Sequence, residues 1–108
     1  MAVSRYDQRK NLEEAEANAI GTEYVRADLL PASDGAKVRV LLKEYLEQRM
    51  RFYQTRDAER LRQVNSDTVR LQNELWSAVT RPAMAQPTPL NSLVLAGMND
   101  VLNSQGYT

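Results

Sequence analysis

A chain of 108 residues with 43% hydrophobic and 26% charged side chains has the balance of an ordinary globular domain rather than of a disordered segment, and its length suits a single domain, residues 1–108. Fourteen Lys and Arg against fourteen Asp and Glu leave a formal net charge of zero, so no global field draws the chain to nucleic acid or to an anionic surface. The absence of Cys and His removes disulfides, thiolate nucleophiles, zinc-finger spacings and every histidine-based acid, base or metal ligand.

Proline and glycine mark the boundaries, at Pro31, Asp34-Gly35, Pro82 and the Pro87/Pro89 pair, and the segments between them are helix-favouring. The expected fold is therefore all-α, a four-helix bundle of antiparallel helices near 5–29, 36–55, 58–80 and 89–104. No alternating strand pattern competes with it. No run of residues approaches the roughly 20 apolar positions of a membrane span, so the chain as it stands is expected to be soluble. Met1–Arg5 lacks the apolar core of a secretion signal.

The first helix is unusual in its small residues. Ala15, Ala17, Ala19, Gly21 and Thr22 recur at short intervals on more than one side, which predicts close approach by neighbouring helices. A glycine in a helix interior costs about 1 kcal/mol relative to alanine, so a packing contact is expected at Gly21. The charges Glu13, Glu14, Glu16, Glu23 and Arg26 exclude a membrane-embedded dimerisation motif.

In the second helix Val38, Leu41, Leu42, Tyr45, Phe52 and Tyr53 share one face. Arg49 falls near the centre of that face, where a guanidinium must find a partner. Glu16 or Glu23 of the first helix can supply it, and a satisfied interhelical ion pair outweighs the other reading, an anion or gating site inside the bundle. The third helix repeats Leu61, Val64, Thr68, Leu71, Leu75 and Ala78 at steps of three and four, the pattern of a bundle seam. Gln54–Asp57 between them suits a tight antiparallel hairpin. The fourth helix opens on Thr88-Pro89, a capping threonine followed by a proline that fits the first helical position. Its apolar residues spread over more than half the wheel, which implies two neighbours or an additional partner.

Catalytic groupings do not emerge. Glu13, Glu14 and Glu16 diverge around the helix and have no histidine to complete a carboxylate metal site. Arg49, Arg51, Arg56, Arg60 and Arg62 are interrupted by Asp57 and Glu59, which suits a solvated edge better than a nucleic-acid face. Tyr6, Tyr24, Tyr45, Tyr53 and Trp76 are expected at the core edge with their polar tips wet. With no phosphate loop or nucleophile elbow either, the chain is not expected to be an enzyme and no cofactor is expected.

The segment from Glu16 to Pro31, EANAIGTEYVRADLLP, resembles a signature of bacterial membrane proteins of unknown function described as bestrophin-like. The similarity continues through Val40–Arg49 with Phe52-Tyr53, then Leu75-Trp76, and ends in Met98–Leu102. This resemblance implies a helical domain between transmembrane segments, exposed to an aqueous side of a bacterial cell membrane. Its partners would be those transmembrane segments and further copies of the chain, in a homo-oligomer of channel-like or transporter-like character. It also points to Glu16, Asn18, Thr22, Arg26, Asp28 and Arg49 as the polar positions that matter. An adaptor or sensor module that binds a peptide or small ligand on the bundle face is the alternative, and a cavity lined by Tyr24, Tyr45 and Arg49 would favour it.

Overall fold

A computed structural model describes residues 4–105, so the outermost three residues at each end of the expected domain lie outside the described residues. The chain forms four α-helices: α1 (Arg5–Arg26), α2 (Ala32–Gln54), α3 (Ala58–Ala85) and α4 (Pro89–Asn103), with a single 3₁₀ turn at Ala27–Leu29 after α1. No strand occurs among the described residues.

Local chemistry starts three of these helices. The Ser4 hydroxyl accepts from the Asp7 amide at 3.1 Å, the Asp57 carboxylate from the Glu59 amide at 3.2 Å, and the Thr88 hydroxyl from the Asn91 amide at 3.2 Å. Pro89 occupies the first turn of α4 as the sequence suggested. The second helix differs: it begins at Ala32, directly after the extended Pro31, and so takes in Asp34 and Gly35, which read in sequence as a turn. Gly35 is there for a different reason. A Cβ at this position would lie 2.6 Å from the Ala27 carbonyl oxygen, so the first turn of α2 can approach the 3₁₀ turn only with glycine. The third helix also outruns its expected end, passing through Pro82 to Ala85. Proline cannot donate to the carbonyl four residues back. Pro82 and Ala83 are nevertheless buried, and the Gln86 amide bonds back to the Pro82 carbonyl at 2.9 Å, which carries the last turn forward.

Each helix packs against its neighbours in chain order, and α4 returns to pack on α1, so that α1 faces α3, and α2 faces α4, only across the centre. Successive helices run antiparallel. Tyr45 of α2 meets Gln72 of α3, Gln72 also meets Gln105 beyond α4, and Arg49 of α2 meets Glu16 of α1. The core consists of Ile20, Ala27 and Leu30 from the first segment, Val38, Leu41, Leu42 and Tyr45 from α2, Leu71, Leu75, Ala78 and Val79 from α3, and Val94, Met98 and Val101 from α4. The seam read from the sequence of α3 is buried from Val64 to Ala78, with Leu61 half-buried and Thr68 satisfied by donating to the Val64 carbonyl at 2.7 Å.

Two expectations fail in the packed bundle. Gly21 is exposed, and a Cβ built on it meets nothing within 4 Å, so no helix approaches there. Of the aromatic residues, Tyr45 is a core residue and Tyr53 half-buried, whereas Tyr6, Tyr24 and Trp76 are exposed. Periodicity placed them on helices without fixing which neighbour would cover them. The wide apolar face of α4 does meet two neighbours, α1 and α3, with Val94, Met98 and Val101 buried, while Leu90 and Leu93 stay exposed.

Candidate functional site

The polar chemistry of the bundle lies on the inward face of α1. Glu16, Ile20, Glu23 and Ala27 are all buried, so two carboxylates stand seven residues apart on one buried stripe, about 10.5 Å along the axis. The two meet different surroundings.

Glu16 faces α2. Arg49 Nε donates to Glu16 Oε1 at 2.6 Å and Arg49 Nη2 approaches Glu16 Oε2 at 3.4 Å, a forked contact between residues that are 5% and 2% exposed. The Tyr53 hydroxyl donates to Glu16 Oε2. The Arg49 guanidinium lies over the Phe52 ring at 4.3 Å, and Arg9 caps the cluster by donating to the Tyr53 carbonyl at 2.7 Å. Burial pushes the Tyr53 phenol up to about 12, and the hydrogen bond to Glu16 acts in the same direction. Both Glu16 oxygens, Arg49 Nε and Nη2 and the Tyr53 hydroxyl are thus engaged within the cluster. Beside it a groove of about 410 Å³ runs between α1 and α2, lined by Glu13, Glu14, Ala17, Leu46 and Met50 as well as by Glu16, Arg49 and Tyr53 of the cluster.

Glu23 faces α4 and is 0% exposed, with both carboxylate oxygens lacking a hydrogen-bond partner. The space it occupies is the space a side chain at Gly97 would take: a Cβ there would collide with Glu23 Oε1 and lie 3.0 Å from Arg26 Nη1 and 3.1 Å from Glu23 Cδ. Arg26, one turn on, spends a donor on the Leu93 carbonyl at 3.4 Å instead. Desolvation dominates and pushes the Glu23 carboxyl from 4.5 to about 8, with Arg26 opposing the rise and Asp100 adding to it.

The remaining expected positions do not converge on these two. Asn18 and Thr22 are exposed on the outer side of α1. Asp28 is exposed and paired with Arg39 at 2.6 Å, and Arg26 is half-buried at the α1/α4 contact. Tyr45, Tyr24 and Arg49 have separate surroundings: the Tyr45 hydroxyl accepts from Gln72, Tyr24 is exposed, and Arg49 is held by Glu16. No family model, curated protein or solved structure matches the chain. No group of three or more carboxylates suited to a metal ion occurs among the described residues, and none of the described helices is long and apolar enough to cross a membrane.

Sequence reasoning found that Arg49 pairs with Glu16 or Glu23 without choosing between them, and missed what surrounds the pair, the Tyr53 hydroxyl and the Phe52 face. It also missed the Glu23 and Gly97 apposition. The seven-residue spacing of Glu16 and Glu23 was a visible signal that both point the same way. That Gly97 stands opposite Glu23 depends on the register of α4 against α1, which no spacing within either helix encodes.

Proposed function

We propose that this chain is an assembly domain of a larger bacterial membrane protein of the bestrophin-like kind, and that it packs against a second copy of itself through the outer side of α1. The observation that carries this reading is a stripe. Asn11, Ala15, Asn18, Thr22, Val25 and Leu29 follow one another at steps of four and three, the spacing of a helix-pairing seam, and all are exposed and uncharged. Small residues in such a stripe let helix backbones come close, and a surface without charge meets its own copy with no like-charge repulsion. Two of the positions that the family resemblance singles out, Asn18 and Thr22, stand in it. Exposed Leu90 and Leu93 of α4 extend the apolar surface at the end where Arg26 bonds the Leu93 carbonyl. The resemblance supplies the setting, with membrane segments of the same protein holding copies side by side.

Light scattering on the full-length protein in detergent, and on this chain alone, tests the assembly. An oligomer that Thr22→Glu and Val25→Glu convert to monomer, with unchanged far-UV circular dichroism, is the expected result. A strict monomer in both preparations overturns the reading. The adaptor or sensor alternative draws on the groove beside Arg49, which has apolar walls suited to a peptide side chain. Assembly is favoured because the buried polar groups of that groove, Glu16, Arg49 and Tyr53, are already committed to one another.

A further inference from the structure

Buried carboxylates without partners are rare, because the ionised form loses its hydration and gains nothing in exchange. Glu23 is such a group, and the chain makes room for it with the single residue type that leaves the space open, Gly97. We propose that the α1/α4 seam is a proton-dependent closure: with a neutral Glu23 carboxyl α4 stays docked on α1 over Gly97, and on ionisation the carboxylate leaves the seam and α4 lifts away from α1.

The charges around the seam support this direction. On α4 the only ionisable residue is Asp100, which repels an ionised Glu23. On α1 the neighbouring charges are Arg26, which lies beside Glu23 at Gly97, attracts it and bonds the Leu93 carbonyl, and Glu16, which is closed off by Arg49. The 3₁₀ turn contributes Asp28, which is exposed and paired with Arg39 of α2, and the other α2 group turned towards α1 is Arg49. Arg26 is therefore the one cation beside the seam among these groups, and it makes no hydrogen bond to Glu23, whose carboxylate oxygens have no partner. The elevated titration of Glu23, to about 8, places the transition in the mildly alkaline range. The far side of α4 has separate restraints: Asn91 donates to the Gln86 carbonyl and Gln72 to Gln105, so α4 can swing from α1 while remaining tied to α3.

Two measurements on the full chain test the proposal. A carbon-13 titration of the Glu23 carboxyl is expected to have its midpoint near 8 rather than near 4.5. The chain has no native cysteine, so spin labels at Glu14→Cys and Ala96→Cys, both on exposed positions, report the α1 to α4 distance directly. The expected result is one distance at pH 6 and a second, longer population at pH 9.5, with only the short distance at both pH values in the Glu23→Gln background. Asp100→Asn should move the carboxyl midpoint downwards. A midpoint in the ordinary carboxylate range, an unchanged distance distribution in the native background, or the same opening with Gln at position 23 would each overturn the proposal. Because the titration and the distance are both read with Glu23 intact, poor folding of the Gln variant leaves the test in force.

Discussion

Replacing Arg49 by methionine keeps an unbranched side chain on the buried face of α2 but removes both guanidinium contacts to Glu16. Glu16, 2% exposed, is then left with the Tyr53 hydroxyl as its only partner of those described. Breaking a buried pair by removing one member costs about 3–5 kcal/mol, because the surviving charge keeps its desolvation penalty and loses its compensation. A domain of this size has on the order of 5–15 kcal/mol of total stability, so the loss should remove roughly a fifth or more of it. Urea unfolding followed by circular dichroism at 222 nm is the assay, with the slope checked to confirm that the two-state comparison holds. The double variant Glu16→Leu/Arg49→Met, which removes both charges, should recover most of the loss, since replacing the whole pair by apolar groups is often close to neutral. A loss of under about 1 kcal/mol for Arg49→Met would place the pair with solvated surface pairs and refute the reasoning. So would a double variant as unstable as the two single losses added together.

The other predictions follow from the same contrasts. The Asp28 and Arg39 pair is short but solvated, and Asp28→Ala should cost no more than about 1 kcal/mol in the same urea assay. Glu23 has a folded pKa raised from 4.5 to about 8, so the folded state holds a proton that the unfolded state releases; stability is complete below 4.5 and falls as pH rises towards 8. At about 1.4 kcal/mol per pKa unit this amounts to a few kcal/mol, and Glu23→Gln should be more stable than the native chain at pH 8 while differing little at pH 4.5. Thermal scans across that range check the sign. Gly21→Ala should stabilise by about 0.5–1 kcal/mol, because the added methyl meets nothing and the helix gains propensity. Gly35→Ala should destabilise by about 1–3 kcal/mol, because its methyl meets the Ala27 carbonyl oxygen.

How much of this was legible in the sequence depended on whether the information was local to one helix. The seam of α3 and the cap at Thr88 are set by residues within a few positions of one another, and they stand where the pattern put them. Arg49 was legible as well, since a cation on an apolar face needs a carboxylate and α1 has only two on its matching side. Gly21, Gly35 and Gly97 show where such reasoning ends. All three are glycines inside helices, and propensity treats them alike. Only the register between elements makes one of them idle, one a contact with backbone and one a contact with a carboxylate. Pro82 misled for the converse reason: the local rule ends a helix there, and burial of Pro82 and Ala83 against the core overrides it.

The inward face of α1 puts the same problem twice, a carboxylate brought into the core, and resolves it in two ways. At Glu16 the bundle brings an arginine, a tyrosine hydroxyl and an aromatic face, so the charge is retained and the α1/α2 contact is fixed. At Glu23 the bundle brings a glycine, and the cheaper state is the neutral acid. A pair that compensates its own charge holds over a wide pH range, whereas a neutral acid holds only while it keeps its proton. The α1/α2 side is therefore the permanent half of the bundle and the α1/α4 side the conditional half. The exposed seam of Asn11, Ala15, Asn18, Thr22, Val25 and Leu29 lies on the same helix as both carboxylates. Any copy that docks on this seam contacts the one element whose attachment to α4 depends on a proton. Assembly and seam closure should then be coupled: if the two are linked, the oligomer's dissociation constant must change with pH across the Glu23 transition, and by linkage it must lose that dependence in Glu23→Gln.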